Sequence, residues 1–304
     1  MKFRFVGKLV MGKNNNAKKG KIISFINMKG GVGKTTLTKE LGIYFSDKGK
    51  KVLLIDSDPQ SNLTQSIFEI FKVIESEKIK TVDEIKKRLD DLPSINKLYD
   101  NSSYMEPINK DCVIKELTQN LSIIPGSLTS MFYGKNPNGD LEQALHNFIE
   151  RENLKNKYDL IFIDCPPTYS SYTVSAILSS DFYIIPVKPD AYSALGIDML
   201  EEVIKKIEES YRDTFSMKPI RNLGIIFTMF DSEAKKQRNI KADIESTEKL
   251  SKIYKFRHFL RNYPSLATNK LNYVIIRSSN SELKESLQQI ADEFNLEINK
   301  IEKK

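Results

Sequence analysis

Short apolar runs punctuate this chain. They fall at Ile22–Ile26, Val52–Ile55, Leu121–Ile124, Leu160–Ile163, Phe182–Val187 and Leu223–Phe227. Runs this short and this apolar predict strands covered on both faces, as in a parallel sheet. Between them the apolar spacing changes to three and four. Leu37, Leu41 and Phe45 share one face of a helix predicted over 34–45. Leu141, Leu145 and Phe148 do the same over 140–150. Another amphipathic helix is predicted over 195–207. The last runs over 281–294, with Leu283, Leu287, Ile290, Ala291 and Phe294 facing inward. Strands that alternate with helices predict an α/β fold: a doubly wound, mostly parallel sheet flanked by helices. Residues 72–120 break the pattern. Their clearest signal is the capping box Thr81-Val82-Asp83-Glu84, which opens a short helix to Leu89.

The polar interruptions are most informative where strands end. The first strand runs into Met28-Lys29-Gly30-Gly31-Val32-Gly33-Lys34-Thr35-Thr36, and the helical pattern begins at Lys34. Strand, glycine turn and helix N-terminus make a phosphate-binding loop. Glycines let backbone N–H groups surround phosphate oxygens. Lys34 would reach the β- and γ-phosphates, and the Thr35 hydroxyl would hold Mg²⁺. The strict motif fails at its first glycine, where Met28 stands, and a second lysine, Lys29, precedes the glycine pair. A glycine turn that bound nothing would bring two lysines together for no purpose. Asp56 and Asp58 end the second strand and Asp164 ends the fourth, on the edge where open α/β sheets bind ligands.

In this order the motifs resemble the ParA/MinD family of P-loop ATPases, with the deviant Walker A loop, and the ParA branch most closely. The resemblance spans about residues 21–294. It rests on Lys29–Thr36, on Asp56-Ser57-Asp58-Pro59-Gln60, on Asp164-Cys165-Pro166-Pro167, on the strands ending at Pro189 and on Thr228–Asp231. It implies ATP and Mg²⁺ as cofactors, with ATP held by Lys29, Gly30, Gly31, Val32, Gly33, Lys34, Thr35 and Thr36. It implies a metal site of Thr35, Asp164 and Asp56, and a catalytic set of Lys29, Lys34 and Asp58. Lys29 would cross a homodimer interface and touch the partner's phosphates. Asp58 would orient the attacking water, with the split between Asp56 and Asp58 left open, since one of them could cap the segment that follows. The implied function is slow, partner-stimulated ATP hydrolysis in plasmid or chromosome partitioning. The implied partners are a second copy, non-specific DNA and a ParB-like centromere-binding protein.

Charge refines this picture. The 304 residues carry a formal net charge of +7. Residues 1–21 hold seven basic and no acidic side chains, so the remainder is formally neutral. Residues 1–20 have no periodicity and are read as a flexible basic arm ahead of a single P-loop domain over 21–304. Within 235–277, eleven basic side chains face three acidic ones. A single lysine there is most simply a solvated charge, but such segregation repels itself unless a counter-charge relieves it. Arg257, Arg261 and Arg277 are the leading phosphate contacts, because guanidinium pairs well with phosphate.

The two cysteines, Cys112 and Cys165, outline no disulfide framework or metal-cluster pair. No apolar run approaches the roughly 20 residues of a membrane helix. A cytoplasmic, nucleoid-associated protein with no membrane partner is expected. A MinD-like membrane-associated positioning ATPase is the alternative. The closing stretch Glu297–Lys304 argues against it, being mixed in charge and poor in bulky apolar residues. With about twenty residues ahead of the loop, no helix-turn-helix and no operator-specific repression are expected.

Overall fold

The computed structural model describes residues 19–74, 91–99, 108–127, 139–263, 266 and 271–303. The capping box at 81–84 and all but two residues of the 1–20 arm lie outside them. Seven strands form one sheet: β1 (Lys21–Phe25), β2 (Val52–Asp56), β3 (Lys115–Thr118), β4 (Leu121–Ile124), β5 (Leu160–Asp164), β6 (Phe182–Val187) and β7 (Arg221–Phe227). Their spatial order is β3-β4-β2-β5-β1-β6-β7. Every pairing is parallel except β3 with β4. The fold is thus the mostly parallel α/β sheet that the apolar runs predict. β2, β4, β5 and β6 are buried along their whole length, which is why they read as unbroken apolar runs.

The longer helices are α1 (Lys34–Asp47), α2 (Asn62–Ile70), α3 (Gly139–Arg151), α4 (Ser171–Ser179), α5 (Ser193–Ser210), α6 (Lys235–Ser246) and α7 (Ser281–Glu302). They bury two apolar clusters, one on each face of the sheet. One gathers Leu145 and Phe148 of α3, Val174 of α4, and Ile197 and Leu200 of α5. The other gathers Leu37 and Leu41 of α1, Leu63 and Ile67 of α2, and Leu287 and Phe294 of α7. At its centre Phe162 meets Phe25 at 5.3 Å and Phe294 at 5.7 Å, both edge to face. Gly42 lets α1 approach β2: a Cβ there would meet Leu54 at 2.5 Å.

Where sequence and structure differ, burial explains it. β3 alternates between half-buried and exposed residues at the sheet edge, so it carries no apolar run. α4 is buried at all nine positions and shows no amphipathic stripe. Among the described residues, no helix is long and apolar enough to cross a membrane.

Candidate functional site

The sheet register brings the candidate residues together. Phe25, the last residue of β1, pairs with Asp164, and Asp56 pairs with Asp164 from the other side. The glycine loop leaving β1 therefore lies beside both carboxylates. Gly31 and Gly33 adopt φ of +70° and +81°, which side chains other than glycine rarely tolerate. The loop is pinned from two sides. Thr228, just past β7, donates its hydroxyl to the Val32 carbonyl at 2.7 Å. Asn27 donates Nδ2 to the Pro186 carbonyl at 2.8 Å and accepts from the Lys29 N–H at 2.9 Å. Asn27 escapes the motif because both its side-chain partners are main-chain atoms, one of them on a distant strand.

Lys34 is buried beneath this loop. Its ammonium donates to the Asn27 carbonyl at 3.1 Å and the Lys29 carbonyl at 3.0 Å. Burial lowers its pKa, and the Asp164 carboxylate opposes that shift. Thr35 donates its hydroxyl to Asp164 Oδ2 at 2.6 Å. The other oxygen, Asp164 Oδ1, is buried without a hydrogen-bond partner. Burial, then the nearby Asp56, push the Asp164 pKa well above its ordinary value. An orphaned carboxylate oxygen is costly unless a cation or a bound water satisfies it. Mg²⁺ keeps several waters and needs few protein ligands, so one hydroxyl and one carboxylate fit it. Among the described residues, no group of three or more His, Cys, Asp or Glu side chains could hold a metal.

Asp56 ends β2 and Asp58 follows it, and their contacts differ. Asp56 is fully buried, and its Oδ2 accepts from both the N–H and the hydroxyl of Thr64, at 2.7 and 2.6 Å. Its Oδ1 takes a long bond from the Asp58 N–H, at 3.3 Å. Burial pushes its pKa up to about 7. The Asp56 carboxylate caps the segment that opens α2, one of the two roles the sequence leaves open for it. Thr64, its partner, carried no signal in the sequence. Asp58 is buried nearby, and its Oδ1 accepts from the Gln60 N–H at 2.9 Å. Its negative charge acts on both Lys34 and Asp164.

Lys29 lies at the loop's rim and forms an ion pair with Asp190, in the turn after β6. Asp190 also accepts from the Tyr192 N–H and the Ser193 hydroxyl, each at 3.1 Å. Partial burial works against the carboxylate, yet Lys29 and these donors hold its pKa below the ordinary value. Exposed apolar side chains flank this turn: Tyr192 is 72% exposed and Leu195 57%.

The basic segment wraps the β7 edge and does not lie on one face. Ile244 of α6 packs in one apolar cluster, whereas Phe256, Leu260 and Ile275 pack in the other. Between them the chain bridges β7 and its following turn, Ile225 to Lys255 and Phe230 to Arg261. Arg257, Arg261 and Arg277 are all exposed. Arg261 sits 3.8 Å from Glu282, and Arg277 sits 3.8 Å from Asp47. Lys241 and Lys249 pair with Glu245 and Asp198. Lys270 lies outside the described residues.

Comparison with known proteins shows the family and the fold. The pattern of an AAA domain family matches residues 20–217. The sporulation initiation inhibitor protein Soj of Bacillus subtilis is 30% identical over 215 residues, 70% of this chain and 74% of that protein. The chromosome-partitioning ATPase Soj of Treponema pallidum is 28% identical over 71% of this chain and 74% of its own length. A crystal structure of a plasmid partition protein from Borrelia burgdorferi, bound to AMPPNP, superposes with a TM-score of 0.69. It is 23% identical and covers 91% of this chain and 98% of that one.

Proposed function

This chain belongs to the ParA-type partitioning ATPases, and on that footing we propose that ATP binding pairs two copies of it and switches on binding to non-specific DNA. The observation that carries the reading is one constellation. A glycine loop with lysines at both ends opens a helix beside a Thr35–Asp164 pair whose second carboxylate oxygen is unpartnered.

Lys34 exchanges its two carbonyl acceptors for phosphate oxygens and neutralises charge at the β- and γ-positions. Backbone N–H groups of residues 30–36 surround the phosphates. Thr35 and Asp164 would hold Mg²⁺ and its water shell, which supplies further neutralisation of phosphate charge. Asp58 orients the attacking water from the end of β2. Lys29 leaves Asp190 and contacts the phosphates of the partner copy, as an arginine finger does in trans. Nucleotide thereby becomes part of a two-fold interface, continuous with the exposed Tyr192 and Leu195.

DNA binds through Arg257 and Arg261 beside β7 and through Arg277 at the far ends of α1 and α2. One patch binds weakly; a dimer doubles the phosphate contacts and steepens the salt dependence. A ParB-like protein on centromere-like DNA stimulates hydrolysis and releases the dimer. We treat residues 21–304 as one ATPase domain and residues 1–20 as a basic arm that only strengthens DNA binding. The protein works in the cytoplasm, on the nucleoid.

Light scattering tests the pairing. ATP should convert a monomer to a dimer, ADP should not, and Lys29→Ala should bind ATP yet remain monomeric. A Lys29→Ala protein that dimerises and hydrolyses like the parent overturns the role in trans.

A further inference from the structure

The mechanism above makes no use of Glu40. This glutamate lies in α1, less than two turns beyond Lys34, and is completely buried. Its Oε2 accepts from the Ile275 N–H at 2.8 Å, and Lys39 Nζ lies 3.2 Å from its Oε1. Lys39, also buried, donates to the Tyr273 carbonyl at 2.7 Å. Two consecutive charged side chains of α1 thus grip the main chain of one short stretch. A third grip comes from α2, where the Ser66 hydroxyl donates to the Leu271 carbonyl at 2.6 Å. The stretch ends at Arg277. Its guanidinium lies 5.4 Å from the centre of the Phe71 ring, at the far end of α2, and 3.8 Å from Asp47, at the far end of α1.

Both helices begin at the nucleotide site. α1 starts at Lys34 and Thr35 of the glycine loop. α2 starts just after Asp58-Pro59-Gln60, and its Thr64 is clamped to Asp56. Helices in a packed interior move as rigid bodies. Main-chain atoms 271–277 are bonded to side chains of both, so this stretch cannot keep all its contacts if α1 and α2 shift against one another. A buried carboxylate is tolerated only where donors and cations face it. Glu40 meets that condition in part: burial raises its pKa and its Oε1 has no hydrogen bond, while Lys39, the Ile275 N–H and Arg277 favour the charge only as long as they stay in place.

We propose that residues 271–277 form a strap by which the nucleotide site controls the placement of Arg277 at the far ends of α1 and α2, with Glu40, Lys39 and Ser66 as its positioning residues. The strap rests on the DNA-binding reading for its output, because Arg277 is one of the proposed phosphate contacts. Its input, movement of α1 and α2 with nucleotide, does not. Coupling of this kind lies typically between about 5- and 150-fold in affinity.

Two readouts separate strap from output. In the full-length protein, hydrogen exchange of residues 271–277 should differ between ATP-bound and ADP-bound forms. Glu40→Gln keeps an acceptor for the Ile275 N–H but removes the charge, and Ser66→Ala removes the α2 grip. Each should leave ATP affinity within about twofold while reducing the ATP-to-ADP ratio of DNA affinity about fivefold or more. Each should also flatten the exchange difference. Ser66→Ala, which removes a single hydrogen bond, keeps the test open if Glu40→Gln folds poorly. Exchange in 271–277 that ignores nucleotide in the parent protein overturns the strap, even if DNA binding is ATP-dependent. A nucleotide-dependent exchange difference that survives in both variants overturns the assignment to these side chains. An exchange difference lost in the variants, with no DNA binding in any state, upholds the strap and sinks the DNA reading.

Discussion

Thr35 and Asp164, 129 positions apart in the chain, share a 2.6 Å hydrogen bond at the edge of the sheet. The bond leaves Asp164 Oδ1 buried and unpartnered, in a carboxyl whose pKa burial has raised. A carboxyl with a higher pKa folded than unfolded favours folding while it is protonated. That contribution is complete below its ordinary value of 3.8 and is lost as pH rises through the folded pKa. Asp164→Asn stays neutral throughout. In protein without nucleotide it should melt with the parent at about pH 3.5 and above it at about pH 8. The gap should reach about 2 °C or more, since one unit of pKa shift is about 1.4 kcal/mol. The same variant should lose ATP turnover. Thermal melts across pH decide it; a melting difference that is flat with pH contradicts the buried-charge account.

The Lys29–Asp190 pair predicts a gain of function. Lys29 must leave Asp190 to reach a partner's phosphates. Exposed ion pairs are worth about 0.2–1 kcal/mol. Asp190→Asn should therefore lower the ATP concentration for half-maximal dimerisation by about two- to fivefold, read by light scattering. An unchanged or raised concentration would show that Asp190 does not compete for this lysine.

Asp58 and Asp56 should separate cleanly. Asp58→Ala should bind ATP and dimerise but hydrolyse about 100-fold slower or worse, leaving a long-lived DNA-bound state. Asp56→Ala should instead destabilise the fold, because it strips the shared acceptor from both Thr64 donors in a buried site. Normal turnover in Asp58→Ala would move the water-orienting role elsewhere.

Replacing Arg257, Arg261 and Arg277 together with Glu should abolish ATP-dependent DNA binding and spare ATP affinity. Deleting residues 1–20 should only weaken it. The decisive comparison is the slope of log affinity against log salt, which counts phosphate contacts. A triple variant with an unchanged slope, beside a deletion that binds nothing, would place the DNA site on the arm.

The apolar strands are legible in the sequence, whereas the rim strand β3 and the wholly buried α4 are not. β2, β5 and β6 announce themselves because both their faces are covered. β3 sits at the rim with half its side chains in solvent, and its Lys115-Glu116-Leu117-Thr118 reads as loop. α6 buries only Ile244 and so carries no apolar stripe. Glycine spacing and strand ends mark Lys34, Thr35 and Asp164 locally. Asp190 and Thr64 were missed because their meaning lies in distant or generic contacts: Asp190 answers a lysine 161 residues away. The basic segment was legible as charge, but its path around the β7 edge is set by the apolar residues between the charges, Ile244, Phe256, Leu260 and Ile275.

In the proposed switch, ATP turns this protein into a DNA-binding dimer. Filter retention of a duplex of arbitrary sequence, with the purified full chain in ATP, ADP or no nucleotide, tests it most directly. Retention should appear with ATP, be absent or weak in the other two states, and collapse as salt is raised. Equal retention in all three states, or none with ATP, would contradict it.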